Sequence, residues 1–298
     1  MRIVFFGTPS IAVKCLERLK DAGKDIVAIV TVTDKEQGRG KKILPSPVKE
    51  FAVSNSIPLL QPESLKSEEF HNELKELQAD IFIIVAFKIL PRIIFSMPKF
   101  GSFNLHGSLL PKYRGAAPVQ WAVINGDQET GLTTFALEDK VDTGNIYLMR
   151  SVKIEPEDDF GSLYERMSVV GAEMVVETLD MIESGNFKLL PQNDELASPA
   201  PKIKKETCQI DFTKSAVAIH NLVRGLSPSP GAFFLHNGKQ FKIYKTALAE
   251  QSIPTGEFFN TKHQIFVGTG KGTLEILEIQ PEGKKRMKAD EFLRGYKL

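Results

Sequence analysis

The chain has 298 residues, of which 42% are hydrophobic and 25% are charged, a composition typical of globular proteins that excludes disordered, collagen-like and coiled-coil chains. The formal net charge of +1 combines a net of −5 over residues 1–187, with 21 Lys and Arg against 26 Asp and Glu, and a net of +6 over residues 188–298, with 17 against 11. The length predicts two domains, and the basic second part indicates a polyanionic partner, although a basic surface also serves solubility alone.

The sequence predicts no membrane span, signal peptide, disulfide or metal site. The longest apolar run, Ile81–Phe87, has seven residues, whereas a membrane helix needs about 18 or more. The first apolar run ends at Gly7, too early for a signal peptide, so we expect a cytoplasmic protein. Cys15 and Cys208 lie far apart, and the five histidines lack the spacing of metal ligands.

Apolar runs alternate with amphipathic patterns through the first part of the chain. Arg2–Phe6 predicts a strand, and a Gly-Thr-Pro turn then leads into a helix with apolar residues at positions 11, 13, 16 and 19. Further strands are predicted at Ile26–Val32, Ile57–Leu60, Ile81–Phe87, Gly101–Leu105, Leu132–Leu137 and Ile146–Ile154, and helices at Val48–Val53, Glu68–Leu77 and Phe160–Ser184. This alternation predicts an α/β fold with a Rossmann-like, doubly wound, mostly parallel sheet.

The composition changes at Pro191–Lys205, where Asn, Asp, Ser and Pro are typical of a linker. A helix is predicted at Ser215–Gly225. Short strands are predicted at Ala232–His236, Phe241–Ala247, Gly256–Asn260, Gln264–Gly268 and Thr273–Gln280. Five short strands favour a small OB-fold-like β-barrel. We therefore predict a catalytic domain at 1–187, a linker at 188–204 and a barrel domain at 205–298.

A cationic loop follows the second predicted strand. Arg39, Lys41 and Lys42 alternate with or follow the flexible residues Gly38 and Gly40. Loops at the carboxyl ends of parallel strands border the ligand crevice of such sheets. The loop is thus a candidate phosphate-binding segment, and a solvated surface loop is the alternative reading.

The strongest chemical pattern is Asn104 and His106 at the end of a predicted strand. Residues two apart on a strand point to the same face, so an amide donor and an imidazole leave the sheet together. Such a pair can stabilise an oxyanion and move a proton, although a histidine in a strand is often only packed. Asp142, in the turn Asp-Thr-Gly, is a candidate to orient the imidazole, but turns carry Asp and Gly for conformational reasons too.

The segment Asn104–Pro111, with Asp142 downstream, resembles the folate-dependent formyltransferases. Further motifs carry the resemblance over nearly the whole chain: Phe5–Pro9, Gly38–Lys42, Pro45–Lys49, Tyr113–Pro118, Gly126–Gly131, Asp142–Gly144 and Ile210–Phe212. One departure is Leu226–Pro230, where the resemblance predicts a tryptophan near the prolines, which affects a local packing or RNA contact.

The resemblance implies transfer of a formyl group from 10-formyltetrahydrofolate, without a metal, to the α-amine of methionine on initiator tRNA. It implies that Asn104 and His106 stabilise the oxyanion and that Asp142 holds His106 and helps to move protons. The implied folate contacts are Phe87, Lys88, Ile89, Leu90, Ser108, Leu109, Leu110 and Pro111. Arg39, Lys41 and Lys42 would contact the tRNA acceptor end, and the basic barrel the acceptor arm.

Two alternatives remain at this level. A formyltransferase acting on a small amine, such as glycinamide ribonucleotide or an amino-sugar nucleotide, would share Asn104, His106 and Asp142 without needing the basic loop. An RNA-binding protein with an inactive α/β domain would not need the three residues at all. We expect a monomer, because one chain supplies both domains.

Overall fold

The computed structural model describes residues 1–37 and 42–298, with the backbone alone at 35–37 and 42–43. Its strands are β1 (Arg2–Gly7), β2 (Asp25–Val30), β3 (Lys35–Gln37), β4 (Lys42–Leu44), β5 (Leu59–Leu60), β6 (Ile81–Val85), β7 (Ser102–His106), β8 (Arg114–Gly115), β9 (Glu129–Ala136), β10 (Ile146–Lys153), β11 (Pro199–Ala200), β12 (Ala232–His236), β13 (Lys239–Ala249), β14 (Phe258–Asn260), β15 (Ile265–Gly268), β16 (Thr273–Pro281) and β17 (Met287–Lys288). Its helices are α1 (Ser10–Asp21), α2 (Pro47–Ser54), α3 (Glu68–Glu76), α4 (Arg92–Phe95), α5 (Pro118–Ile124), α6 (Phe160–Ser184), α7 (Ala216–Gly225) and α8 (Ala289–Leu293).

The chain divides into two compact units, each built from separate stretches of sequence. Unit 1 comprises Met1–Gly115, Gly131–Val152 and Glu165–Pro199, and unit 2 comprises Ala116–Thr130, Lys153–Tyr164 and Ala200–Leu298. The sequence predicts contiguous ranges, 1–187, 188–204 and 205–298, so the observed units differ from them in being discontinuous.

Three hydrogen bonds within unit 2 show the physical reason for this discontinuity. The Trp121 indole N–H donates to the carbonyl oxygen of Pro201 over 2.7 Å. The Arg224 guanidinium donates to the carbonyls of Pro156 and Asp158. Long-range contacts of this kind leave no trace in local composition, which is what the predicted ranges rest on.

Unit 1 is built on a sheet with the strand order β10-β9-β7-β6-β1-β2-β5 among the described residues. The pairs from β5 to β7 are parallel, and β9 runs antiparallel to β7. Every residue of β6 is buried, as expected for a parallel strand covered on both faces. The predicted fold class, a mostly parallel α/β sheet followed by a smaller β unit, is confirmed.

Local sequence signals set where the elements of unit 1 begin. The Ser46 hydroxyl accepts a hydrogen bond from the Lys49 amide, and Pro47 occupies the first turn of α2, a favourable start for a helix. Gly7 ends β1 where a Cβ atom would lie 2.6 Å from the Cβ of Ala12. The close approach of β1 to α1 therefore accounts for glycine at this turn.

Unit 2 contains a separate antiparallel sheet with the order β12-β13-β16-β15-β14, and β17 pairs with β16. Its core includes Ile219 and Val223 of α7 and Phe292 of α8, packed with buried residues of the strands. The segment Leu226–Pro230 is the one that departs from the family pattern. A Cβ atom added at Gly161 would lie 2.6 Å from the side chain of Pro228 in this segment. Pro228 thus packs against the start of α6.

Within the described ranges, no helix has the length and apolar character needed to cross a membrane.

Candidate active site

The candidate residues meet at the carboxyl end of β7 in unit 1. Asn104 lies beside Ile84 of β6 and opposite Phe135 of β9, and His106 lies opposite Thr133. Asn104 and His106 share one face of the strand, as their spacing predicts. The loop from β9 to β10 carries Asp142 to the same edge of the sheet.

Both ring nitrogens of His106 face a polar group. Its side chain is 6% exposed, and Nε2 lies 2.8 Å from the carbonyl oxygen of Tyr113. Because a carbonyl only accepts, Nε2 carries a hydrogen and donates it. Nδ1 faces Oδ2 of Asp142 at 3.7 Å. Nδ1 is therefore the ring nitrogen that is left to face the carboxylate.

Asp142 is held in a turn whose backbone few residues adopt. Its φ angle is +55°, in the left-handed region that is sparsely populated by residues other than glycine. The backbone N–H of Gly115 donates to Oδ2 over 2.8 Å. Two residues on, a Cβ at Gly144 would lie 1.7 Å from the carbonyl oxygen of Ala136, so only glycine fits there.

A cavity of about 100 Å³ opens beside Asn104 and Asp142. Its lining consists of Ile84, Phe87, Lys88, Ile89, Leu90, Asn104, Phe135, Leu137, Glu138, Asp139, Lys140, Val141 and Asp142. The structure thus brings four predicted folate contacts, Phe87 to Leu90, together with two predicted catalytic residues. Seven of these thirteen residues are apolar and six are polar or charged, so the cavity offers both apolar walls and polar groups that could orient a small molecule.

The path of the chain after β6 places Phe87 at this cavity. The sequence predicts a strand through Phe87, but β6 ends at Val85, so this boundary is corrected. Ala86 has a φ angle of +49°, which turns the chain out of the sheet direction. The Phe87 ring then packs edge-on against Phe6, with ring centroids 5.7 Å apart.

The other predicted folate segment, Ser108, Leu109, Leu110 and Pro111, does not line this cavity in the described structure. The Ser108 hydroxyl donates to the carbonyl of Lys112, and the Leu110 amide donates to the hydroxyl of Thr133. Leu110 packs with Phe135 and Ile146. The segment forms a turn anchored on β9, and its contact with folate stays a prediction.

The predicted tRNA contacts lie at the edge of the described residues or outside them. Arg39 and Lys41 lie outside the described residues, and Lys42, the first residue of β4, is described by its backbone alone. In the part of the chain that is described, no group of three or more His, Cys, Asp or Glu residues is placed to hold a metal ion.

Sequence reasoning missed three contributors to the site. The Tyr113 carbonyl fixes the imidazole of His106, Phe135 lines the cavity, and Gln192 donates to the turn that carries Asp142. The antiparallel pairing of β7 and β9 would have indicated Phe135 opposite Asn104. Nothing in the local sequence signals Gln192, which lies 50 residues from Asp142.

Comparisons with known proteins bear on both parts of the chain. The family model described as formyl transferase matches residues 1–179, and the one described as formyl transferase, C-terminal domain, matches residues 202–297. The chain is 46% identical to a methionyl-tRNA formyltransferase of Caldanaerobacter subterraneus subsp. tengcongensis, over 100% of this chain and 98% of the relative.

Solved structures show the same fold at lower identity. An N-formyltransferase from Helicobacter canadensis, in complex with folinic acid and dTDP-3-aminofucose, superposes with a TM-score of 0.69 and 23% identity, over 96% of this chain and 99% of that one. HypX from Aquifex aeolicus superposes with a TM-score of 0.69 and 18% identity over 100% of this chain, which spans 48% of that longer protein.

Proposed function

Because the chain belongs to the formyl transferase family, we propose that it transfers the formyl group of 10-formyltetrahydrofolate to the free amine of initiator methionyl-tRNA, in the cytoplasm. The observation that carries the proposal is the His106–Asp142 pair beside a cavity that Asn104 also lines. The choice of acceptor is supported by full-length identity to a protein named for that reaction.

The cavity suits the donor chemically. 10-Formyltetrahydrofolate carries a fused ring system with a polar edge, and it supplies a formyl carbon open to attack by an amine. The apolar walls at Phe87, Leu90 and Phe135 suit the faces of such a ring. The polar side chains of Asn104 and Asp142 and the loop Glu138–Lys140 suit its edge and the formyl group.

Each of the three polar residues then has a separate task. The Asn104 side-chain amide lines the cavity, where it donates a hydrogen bond to the negative charge that develops on the formyl oxygen. His106 holds or releases a proton at Nδ1, because its Nε2 is bound to the Tyr113 carbonyl. Asp142 Oδ2 faces Nδ1 across 3.7 Å and accepts the proton that the amine loses as it bonds to the formyl carbon. When the bond between the formyl carbon and the folate nitrogen then breaks, that proton passes to the leaving nitrogen.

The tRNA partner rests on charge as well as on the named relative. Residues 188–298 carry a net charge of +6, and cationic surfaces bind nucleic acids largely through release of counterions from the phosphates. The loop with Arg39, Lys41 and Lys42 would add contacts near the acceptor end. The small-amine formyltransferase and the inactive RNA-binding protein are the outcomes to be tested against this proposal.

An acceptor assay decides among these functions. The protein is incubated with 10-formyltetrahydrofolate and, in parallel, initiator methionyl-tRNA, glycinamide ribonucleotide or an amino-sugar nucleotide. We expect N-formylmethionyl-tRNA alone to form, and His106→Ala to abolish most of it. Formylation of a small amine instead would overturn the proposed acceptor, and formylation of none would overturn the proposed activity.

A further inference from the structure

The segment 190–198, which we name the strap, lies in unit 1 directly before its last residue. The sequence predicts linker there, and the structure gives it regular contacts with the candidate site. Its first residue, Leu190, exchanges two backbone hydrogen bonds with Ile146, of 2.8 and 3.0 Å, at the start of β10. The strap therefore begins beside the loop that carries Asp142.

Gln192 binds that loop at two points. Its side-chain Nε2 donates to the carbonyl oxygens of Asp142, at 3.0 Å, and of Gly144, at 2.8 Å. These two carbonyls flank the turn in which Asp142 has its left-handed φ angle. A single amide group thus spans the strained backbone from both sides. Such a conformation persists where its surroundings hold it.

Arg114 fixes the orientation of the Gln192 amide. Nε and Nη2 of Arg114 both donate to Oε1 of Gln192, at 3.1 and 2.7 Å, and Nη2 also donates to Asp194. With Oε1 occupied by two donors, Nε2 is the end of the amide that faces the Asp142 turn. The Arg114 side chain is 16% exposed, so water competes little for these bonds.

Ser198, at the far end of the strap, binds the backbone next to His106. Its hydroxyl accepts from the Tyr113 amide at 2.9 Å, and its carbonyl accepts from the Arg114 amide at 2.8 Å. Tyr113 is the residue whose carbonyl accepts from His106. One short segment therefore holds the backbone behind the imidazole and the backbone behind the carboxylate.

We propose that Gln192 is a positioning residue, which keeps the Asp142 carboxylate facing His106 through its two hydrogen bonds to the Asp142 turn. This inference rests on the proposed function for its effect on turnover, but its geometric content does not. A shift of about 1 Å in a reacting group can cost on the order of 10²-fold in rate. Loss of the Gln192 amide is expected to act in that way.

The test replaces the side-chain amide of Gln192 with a group of similar shape that cannot donate a hydrogen bond. Gln192→Glu removes both donated hydrogen bonds but keeps an acceptor for Arg114, and Asn193→Asp is the matched control one residue away. Asn193 caps a short turn by accepting from the Glu195 amide, which aspartate also does. We expect Gln192→Glu to lower kcat by about 10- to 100-fold with little change in the KM for folate, and the control to stay within about twofold of the parent.

A double-mutant cycle with Asp142→Asn separates positioning from general damage. If Gln192 acts through Asp142, adding Gln192→Glu to Asp142→Asn should lower kcat by less than about threefold more. A full, multiplicative loss would overturn the proposal. So would a Gln192→Glu variant that raises the KM for folate with kcat unchanged, because Gln192 would then shape the cavity rather than place the carboxylate.

Hydrogen exchange at the Gly115 amide tests the geometry without any activity. That N–H donates to Asp142 Oδ2, so a displaced carboxylate should speed its exchange by about fivefold or more in Gln192→Glu but not in Asn193→Asp. If Gln192→Glu does not fold, Gln192→Met serves with the same expectations. Unchanged Gly115 exchange would overturn the proposal, whereas normal exchange behaviour with no formylation by the parent would overturn the proposed function alone.

Discussion

At the scale of single residues, the proposed chemistry depends on the orientation of the His106 ring. With Nε2 bound to the Tyr113 carbonyl and Nδ1 facing Asp142, the ring has one fixed hydrogen and one exchangeable position. An imidazole that rotated freely would present Nδ1 to Asp142 for only part of the time, and catalysis would be slower. The burial of the side chain makes this arrangement durable.

We expect His106→Ala and Asp142→Asn each to lower kcat by about 10²–10⁴-fold, the usual range for acid–base and oxyanion groups. Folate binding should largely survive, because the apolar walls at Phe87, Leu90 and Phe135 remain in place. Steady-state kinetics with methionyl-tRNA measure the first effect and equilibrium folate binding the second. His71→Ala, far along the chain on α3, is the control, and turnover like the parent's in either site variant would contradict the assignment.

A second residue-scale prediction concerns Arg39, which lies outside the described residues. If it contacts a tRNA phosphate, Arg39→Ala should weaken tRNA binding and reduce the salt slope of the affinity by about one unit. Folate affinity should barely change. Binding and kcat/KM at two salt concentrations are the measurement, with the exposed Lys66→Ala as the control; values unchanged at both would remove this loop from the mechanism.

At the scale of elements, the turn that carries Asp142 depends on Gly144. A Cβ there would meet the Ala136 backbone and the Phe135 ring, so Gly144→Ala must displace the turn or the end of β9. We expect a loss of about 1–3 kcal/mol in the free energy of unfolding and a lower kcat. Urea unfolding measures the first, and Gly295→Ala, where no heavy atom lies within 4 Å, is the control. Equal unfolding midpoints for the two variants would contradict the clash.

The packing of α7 on β13 predicts a dependence of stability on pH. Burial lowers the pKa of His220 from 6.5, the nearby Arg224 lowers it further, and Glu157 opposes the shift. The unfolded chain therefore takes up this proton first as the pH falls. The stability contributed by the neutral ring is complete above about pH 6.5 and is lost as the pH drops through the lower, folded-state pKa.

His220→Gln should remove that part of the pH dependence. We expect unfolding midpoints in urea to fall less between about pH 8 and about pH 5 in this variant than in the parent. Gln also removes the Nδ1 contact with Thr246, so the comparison uses the change with pH rather than the absolute stability. His263→Gln, at an exposed position, should keep the parent's slope, and equal slopes in all three proteins would contradict the prediction.

Apolar runs made the elements of the main sheet predictable. All five residues of Ile81–Val85 are buried. A short run of consecutive apolar residues without helical spacing is typical of a strand that is buried on both faces of a sheet. The helix α5 was not predicted, since its seven residues begin after Ala117, which gives no side-chain cap. Asn104, His106 and Asp142 were found from a motif, whereas Gln192 and Phe135 depend on pairings across about 30 to 50 residues that local patterns do not encode.

At the scale of the whole molecule, the discontinuous units change what a truncation should do. Contiguous domains would leave residues 1–187 independent. In the structure, Ala116–Thr130 and Lys153–Tyr164 belong to unit 2, and Ile124 packs against the core of that unit. A chain ending at residue 187 keeps both segments and loses their partners, together with the strap.

We expect the fragment 1–187 to be less stable than the intact chain by about 2–4 kcal/mol, for the lost Trp121–Pro201 hydrogen bond and the exposed Ile124 surface. Thermal unfolding followed by circular dichroism measures the difference. A fragment that keeps residues 1–199 retains the strap and should recover the protection of the Gly115 amide but not the full stability. A fragment 1–187 that melts within about 2 °C of the intact chain would contradict the role of unit 2.

The same discontinuity sets an order of events while the chain is being made. Ribosomes add about 5–20 residues per second, and 134 residues separate Tyr164 from Leu298. The two early segments of unit 2 are therefore synthesised roughly 7–27 s before the last residues of that unit. During that interval Ile124 lacks the complete core against which it packs, so nascent chains of this length should be the ones that chaperones retain.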